Sequence, residues 1–104
     1  MSGMPTGAAP AAGAAAPVAT TRVTIAGFAF SPQTVTVRAG ATVTWTNTDG
    51  EPHTVTATGA GAGGPSSPTL QQGDTFRFTF PKAGRFDYLC TIHPFMTATV
   101  VVTP

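Results

Sequence analysis

The sequence predicts an all-β protein, a β-sandwich or barrel of seven to eight short strands. Three observations lead there. From Arg22 onward apolar and polar residues alternate with a period of two. Turn signals rich in Gly, Pro, Asn and Ser interrupt this alternation at roughly 8 to 12 residue spacing. No window sustains the 3.6-residue periodicity of an amphipathic helix.

The elements follow in order. Val23 and Ile25 alternate with Thr24 and Ala26, and Phe28 and Phe30 continue the series up to a turn at Ser31-Pro32. Val35 and Val37 alternate with Thr34, Thr36 and Arg38, and Ala39-Gly40 turns the chain again. Val43 and Trp45 then alternate with Thr42, Thr44 and Thr46. Asn47 to Pro52 is a polar loop, His53 to Thr58 is a further short strand, and Gly59 to Pro68 has the composition of a surface loop. Phe76, Phe78 and Phe80 alternate with Thr75, Arg77 and Thr79 as a half-buried strand. Phe86 to Cys90 and the β-branched run Ala98 to Val102 complete the set, and the strands are expected to pair antiparallel.

Residues 1–20 read differently. They consist of Met, Ser, Gly, Pro, Thr, Ala and Val only, with no charge and with prolines at 5, 10 and 17. Such a segment has too little large apolar surface to offset its ordering entropy, so it is expected to be a disordered tether ahead of a domain at 21–104. Tethers of this kind commonly follow an export signal or a lipid-anchored cysteine. The expected location is therefore periplasmic, extracellular or on the cell envelope.

Charge is scarce. Nine of 104 residues are charged, five basic and four acidic, for a formal net charge of +1, and threonines occupy the polar strand positions. Without a basic cluster, nucleic acid is not an expected partner. No apolar run has the roughly 18 to 20 residues of a transmembrane helix, so membrane insertion is not expected either. A monomer is the expected state. The single cysteine rules out an internal disulfide and any zinc site with two thiolates.

Chemistry is concentrated in Asp87-Tyr88-Leu89-Cys90-Thr91-Ile92-His93-Pro94-Phe95-Met96, where a thiol, an imidazole and a thioether stand as Cys-x-x-His-x-x-Met. The other histidine, His53, lies about forty residues upstream, after the loop Asn47-Thr48-Asp49-Gly50-Glu51-Pro52. Two imidazoles, one thiolate and a weak axial thioether form the donor set of a blue-copper electron-transfer site. Thiolate and thioether favour Cu(I), and imidazole accepts either oxidation state. Taken singly, the cysteine is a buried thiol, the methionine core filler and Asn47 a turn former. The order and spacing of the only Cys and the only two His turn the reading toward copper.

The chain resembles the cupredoxins, most closely the amicyanins among plastocyanin-like proteins. The resemblance rests on Cys90-Thr91-Ile92-His93-Pro94-Phe95-Met96, on Val43-Thr44-Trp45-Thr46-Asn47 and on Pro52-His53, and it covers roughly residues 22–102. It implies a Greek-key β-sandwich of seven to eight strands and one type 1 copper per chain, with His53, Cys90 and His93 as equatorial ligands and Met96 as the axial one. It also implies that Asn47 bridges the two ligand loops beside the thiolate. His93, with Pro94 and Phe95 around it, would be the electron port in an apolar patch. Its partners would be transient redox proteins of dehydrogenase, cytochrome or oxidase type.

Two departures stand out. Ile92 occupies a position where the amicyanin pattern has proline, so an extra amide N–H is available near the Cys90 sulfur; it is expected to raise the reduction potential relative to an Ile92→Pro variant. Met96-Thr97-Ala98-Thr99 lacks the basic residues that often follow the methionine. Tyr88 is read as core, and Asp49 and Glu51 as solvated loop charges near the rim of the site.

Other functions fit less well. An enzyme with Cys90 as nucleophile lacks an orienting third group and leaves Met96 without a purpose. Multicopper oxidases and copper nitrite reductases need more histidines, and a binuclear copper centre needs two cysteines. The serious alternative is a module that stores or delivers copper.

Overall fold

The computed structural model describes residues 16–59 and 63–104. These residues form nine strands: β1 (Val18–Ala19), β2 (Arg22–Ala26), β3 (Ala29–Ser31), β4 (Thr34–Arg38), β5 (Thr42–Asn47), β6 (Thr56–Ala57), β7 (Thr75–Thr79), β8 (Gly84–Leu89) and β9 (Thr97–Thr103). One sheet has the order β1-β4-β9-β8-β6 and the other β3-β2-β5-β7. The expected all-β sandwich is present, with two more strands than the lower expected count.

The sheets are mixed rather than antiparallel. β1 with β4, β4 with β9 and β2 with β5 pair parallel, because β4 and β5 enter different sheets instead of forming a hairpin. Parallel neighbours need a crossover, and here the crossovers pass between the two layers.

The period-two pattern sorts the side chains as expected. Val23, Ile25, Val35, Val37, Val43 and Trp45 are buried, and threonines such as Thr24, Thr42, Thr75 and Thr79 face water. The centre of the core is aromatic. Trp45 and Tyr88, from opposite sheets, are both fully buried and meet edge to face with ring centroids 5.6 Å apart. The indole Nε1–H donates to the Tyr88 hydroxyl at 3.1 Å. Burial holds the Tyr88 phenol well above its ordinary pKa, so it stays protonated.

Four local expectations are corrected. Residues 1–15 of the expected tether lie outside the described residues, but Val18–Ala19 belong to the sheet, where they pair with Val35 and Thr36. Phe28 does not continue a strand. Gly27 and Phe28, both at φ 58°, are the central residues of a two-residue hairpin turn between paired Ala26 and Ala29. Positive φ at both positions is what the I′ hairpin turn demands. The strand expected at His53–Thr58 shrinks to Thr56–Ala57, preceded by an isolated pairing of His53 with Leu70. Finally, the later part of the expected surface loop 59–68 is tied down: Ala57 N–H donates to Pro65 O, Ser67 N–H to Val55 O, and Pro65 is fully buried.

Candidate metal centre

The site lies at one end of the sandwich, where β5 leaves its sheet and β8 turns into β9. Asn47, the last residue of β5, is fully buried and organises the first loop. Its amide nitrogen donates to Glu51 O at 2.9 Å and Leu70 O at 2.8 Å, and its side-chain oxygen accepts Asp49 N–H at 2.9 Å. This folds the loop so that Pro52-His53 turns inward. The His53 backbone then exchanges both hydrogen bonds with Leu70, and the imidazole has no solvent exposure.

The second loop is closed by its own backbone. Cys90 N–H donates to Met96 O at 3.1 Å, and Met96 N–H donates to His93 O at 2.9 Å. Seven residues thereby form a tight turn with Cys90 and Met96 buried at its base, His93 half-buried and Phe95 projecting 71% exposed.

Three donors meet between the loops. Cys90 Sγ lies 3.7 Å from His53 Nδ1 and 3.8 Å from His93 Nδ1, and the two nitrogens are 3.2 Å apart. The point equidistant from the three atoms is about 2.1 Å from each, close to the lengths of metal–imidazole and metal–thiolate bonds. The triangle therefore fits a three-coordinate metal ion without rearrangement. Among the described residues no other group of three or more His, Cys, Asp or Glu side chains converges in this way.

The surroundings refine the expected roles. The amide hydrogen-bonded to Sγ is that of Thr54, at 3.4 Å, and not that of Ile92. Thr54 also carries the link between the loops assigned in advance to Asn47. Its hydroxyl accepts Thr91 N–H at 2.9 Å and lies 2.9 Å from the Thr91 hydroxyl. The two donors and the acceptor of Asn47 are taken up by its own loop and by Leu70, not by the Cys90 loop.

Besides Thr54, two participants were missed. Asp49 is not a free loop charge: its carboxylate lies 2.9 Å from His53 Nε2 and retains 16% exposure. It also accepts the amides of Gly27 and Phe28. The Phe28 amide, with further help from His53 and Gly27, holds its pKa below the ordinary carboxylate value against an opposing effect of desolvation. An ionised carboxylate can only accept, so His53 carries its proton on Nε2 and presents Nδ1 to the cluster. Phe28 lies over the site, its ring edge-on to His93 at 5.0 Å and to His53 at 5.7 Å. The spacing of Asp49 four residues before His53, and a Gly-Phe pair where a strand should run, were the available signals.

Comparisons with known proteins agree with this geometry. Residues 17–103 match the family described as copper binding proteins, plastocyanin/azurin family. The fold superposes with a TM-score of 0.73 on a purple cupredoxin from Nitrosopumilus maritimus, at 29% identity over 81% of this chain and 100% of that one. A variant of amicyanin in its oxidised state gives a TM-score of 0.74 at 35% identity, over 91% of this chain and 87% of that one. A Cu-containing nitrite reductase from Thermus scotoductus SA-01 also matches, with a TM-score of 0.74 and 28% identity over 88% of this chain but 24% of that one. No curated protein sequence matches at the same stringency. The chain belongs to the plastocyanin/azurin family of copper binding proteins, and His53, Cys90 and His93 are grouped as its type 1 copper site.

Proposed function

We propose that the chain is a one-electron carrier, not an enzyme, that shuttles between transient protein partners, with Met96 as axial donor and His93 as the port. The observation that carries this reading is the three-donor triangle, already at metal-binding distances and buried on two of its three members. Bound copper supplies the Cu(II)/Cu(I) couple.

The chain's own residues supply the rest. The buried Asn47 and Thr54 networks fix both loops, so little nuclear rearrangement need accompany a change of charge. The Thr54 amide donates to the sulfur and draws negative charge from it. Met96 is buried at the base of the loop, with backbone bonds to Cys90 and His93, and this supports its role as a thioether donor. His93 approaches the surface beside exposed Ile92 and Phe95, and Phe28 extends this apolar rim. A small apolar surface suits weak, short-lived encounters. The proposed partners are redox proteins of dehydrogenase, cytochrome or oxidase type, met in the periplasm or at the cell envelope.

Voltammetry of the copper-loaded protein with a chelator challenge tests the reading. A carrier gives a fast reversible one-electron wave and keeps its copper in both oxidation states. A sluggish wave with ready loss of copper to the chelator would favour storage or delivery.

A further inference from the structure

Asp49 gathers three donors from two distant parts of the chain. Its Oδ1 accepts Gly27 N–H at 2.7 Å; its Oδ2 accepts Phe28 N–H at 3.0 Å and faces His53 Nε2 at 2.9 Å. No other side chain touches both a member of the metal-binding cluster and the β2–β3 hairpin through hydrogen bonds among the described residues. The hairpin turn is also one that needs holding. Phe28 has φ 58°, a region that aromatic residues rarely occupy, and the residue is 43% exposed instead of buried in the core. What Phe28 reaches in that conformation is the site: His93 at 5.0 Å, His53 at 5.7 Å and Phe95 at 6.4 Å.

We infer that Asp49 is a positioning residue for electron transfer, which fixes the His53 proton on Nε2 and, through the same carboxylate, clamps Phe28 over His93. The inference rests on the copper reading for its consequence, while its geometry is that of this chain's own residues. A carboxylate behind a ligating imidazole selects the tautomer and makes the ring a stronger donor. Its negative charge beside the centre also favours the more positive oxidation state, so removing it should raise the reduction potential. Asp49 thus couples the orientation of a ligand at the back of the site to the cover of the port at its front.

The donor count makes the variants informative. Asp49→Ala removes both accepting oxygens and with them all three hydrogen bonds. Asp49→Asn offers one accepting oxygen; placed where Oδ2 stands, it keeps Phe28 and His53, gives up Gly27 and removes the charge. The first measurement is ¹⁵N NMR of the copper-free protein near pH 8, which reads the His53 tautomer and the exchange of the Gly27 and Phe28 amide protons. Wild type is expected to show His53 as the Nε2–H tautomer with both amides protected. Asp49→Ala should mix the tautomers and speed exchange of both amides by tenfold or more. Asp49→Asn should keep the tautomer and expose Gly27 first. After loading with Cu(II), voltammetry should place both variants at a higher potential than wild type, a change that loss of a purely structural contact would not require.

Folded variants with the wild-type tautomer, amide protection and potential would overturn the inference. If Asp49→Ala does not fold, Asp49→Asn decides it alone through Gly27 exchange and the potential. A wild-type protein that takes up no copper would instead sink the function proposed above, and the tautomer and exchange measurements would still judge the role of Asp49.

Discussion

Replacing Tyr88 by Phe removes a single oxygen from the middle of the core and leaves its outline intact. That oxygen accepts the Trp45 Nε1–H at 3.1 Å, and both side chains are essentially inaccessible to water. The indole donor would then be buried with no partner, which costs about 1–3 kcal/mol. For a domain of this size, each kcal/mol lowers the thermal midpoint by about 4–8 °C. Urea unfolding of the copper-free protein gives the free energy, and a double-mutant cycle with Trp45→Phe isolates the bond. Because the double variant buries neither donor nor acceptor, its loss should fall short of the summed single losses by roughly 0.5–3 kcal/mol. Additive losses, or a Tyr88→Phe protein within about 0.5 kcal/mol of wild type, the range of ordinary surface changes, would refute the claim that this bond joins the two sheets.

Further outcomes follow from other contacts. Asp87 accepts the Thr99 hydroxyl at 2.7 Å and Arg85 Nε at 3.1 Å, and chiefly the former holds its pKa below the ordinary value. A carboxylate depressed in the folded state contributes fully above its unfolded pKa of about 3.9, and the contribution disappears as pH falls through the lower folded value. Thermal midpoints should therefore drop below about pH 4, and less steeply in Asp87→Asn, in a calorimetric series. Gly64→Ala should destabilise by about 1–3 kcal/mol, since a Cβ there would overlap the Cβ of Ala57; chemical denaturation should show recovery when Ala57→Gly is added. Phe95→Ala, at a position 71% exposed, should leave stability within about 0.5 kcal/mol. It should nevertheless slow self-exchange of electrons several-fold, as read from NMR line widths in mixed redox states.

The sequence made the β-architecture legible because period-two alternation reports directly which face of a strand is buried. Val23, Ile25, Val43 and Trp45 all lie where that alternation places them. It was silent on strand direction, since parallel and antiparallel neighbours bury the same alternate residues; hence the parallel β2–β5 and β4–β9 pairs came as corrections. The cluster of His53, Cys90 and His93 was legible because scarce residue types in a fixed spacing leave few other readings. Its supports were not. Phe28 looks like another apolar strand position until Gly27 permits a hairpin turn, and Asp49 looks solvated until that turn delivers two amides to it. Thr54, one among many threonines, has no distinguishing pattern; only the folded loops show its amide on Sγ and its hydroxyl against Thr91.

Cys90, His53 and His93 hold copper in a thiolate-bound type 1 site. Titration of the copper-free protein with Cu(II), followed by visible absorption and electron paramagnetic resonance, tests it most directly. An intense thiolate-to-copper absorption should saturate at one copper per chain and be abolished in Cys90→Ser. A wild-type protein that stays colourless, or a colour that survives in Cys90→Ser, would contradict it.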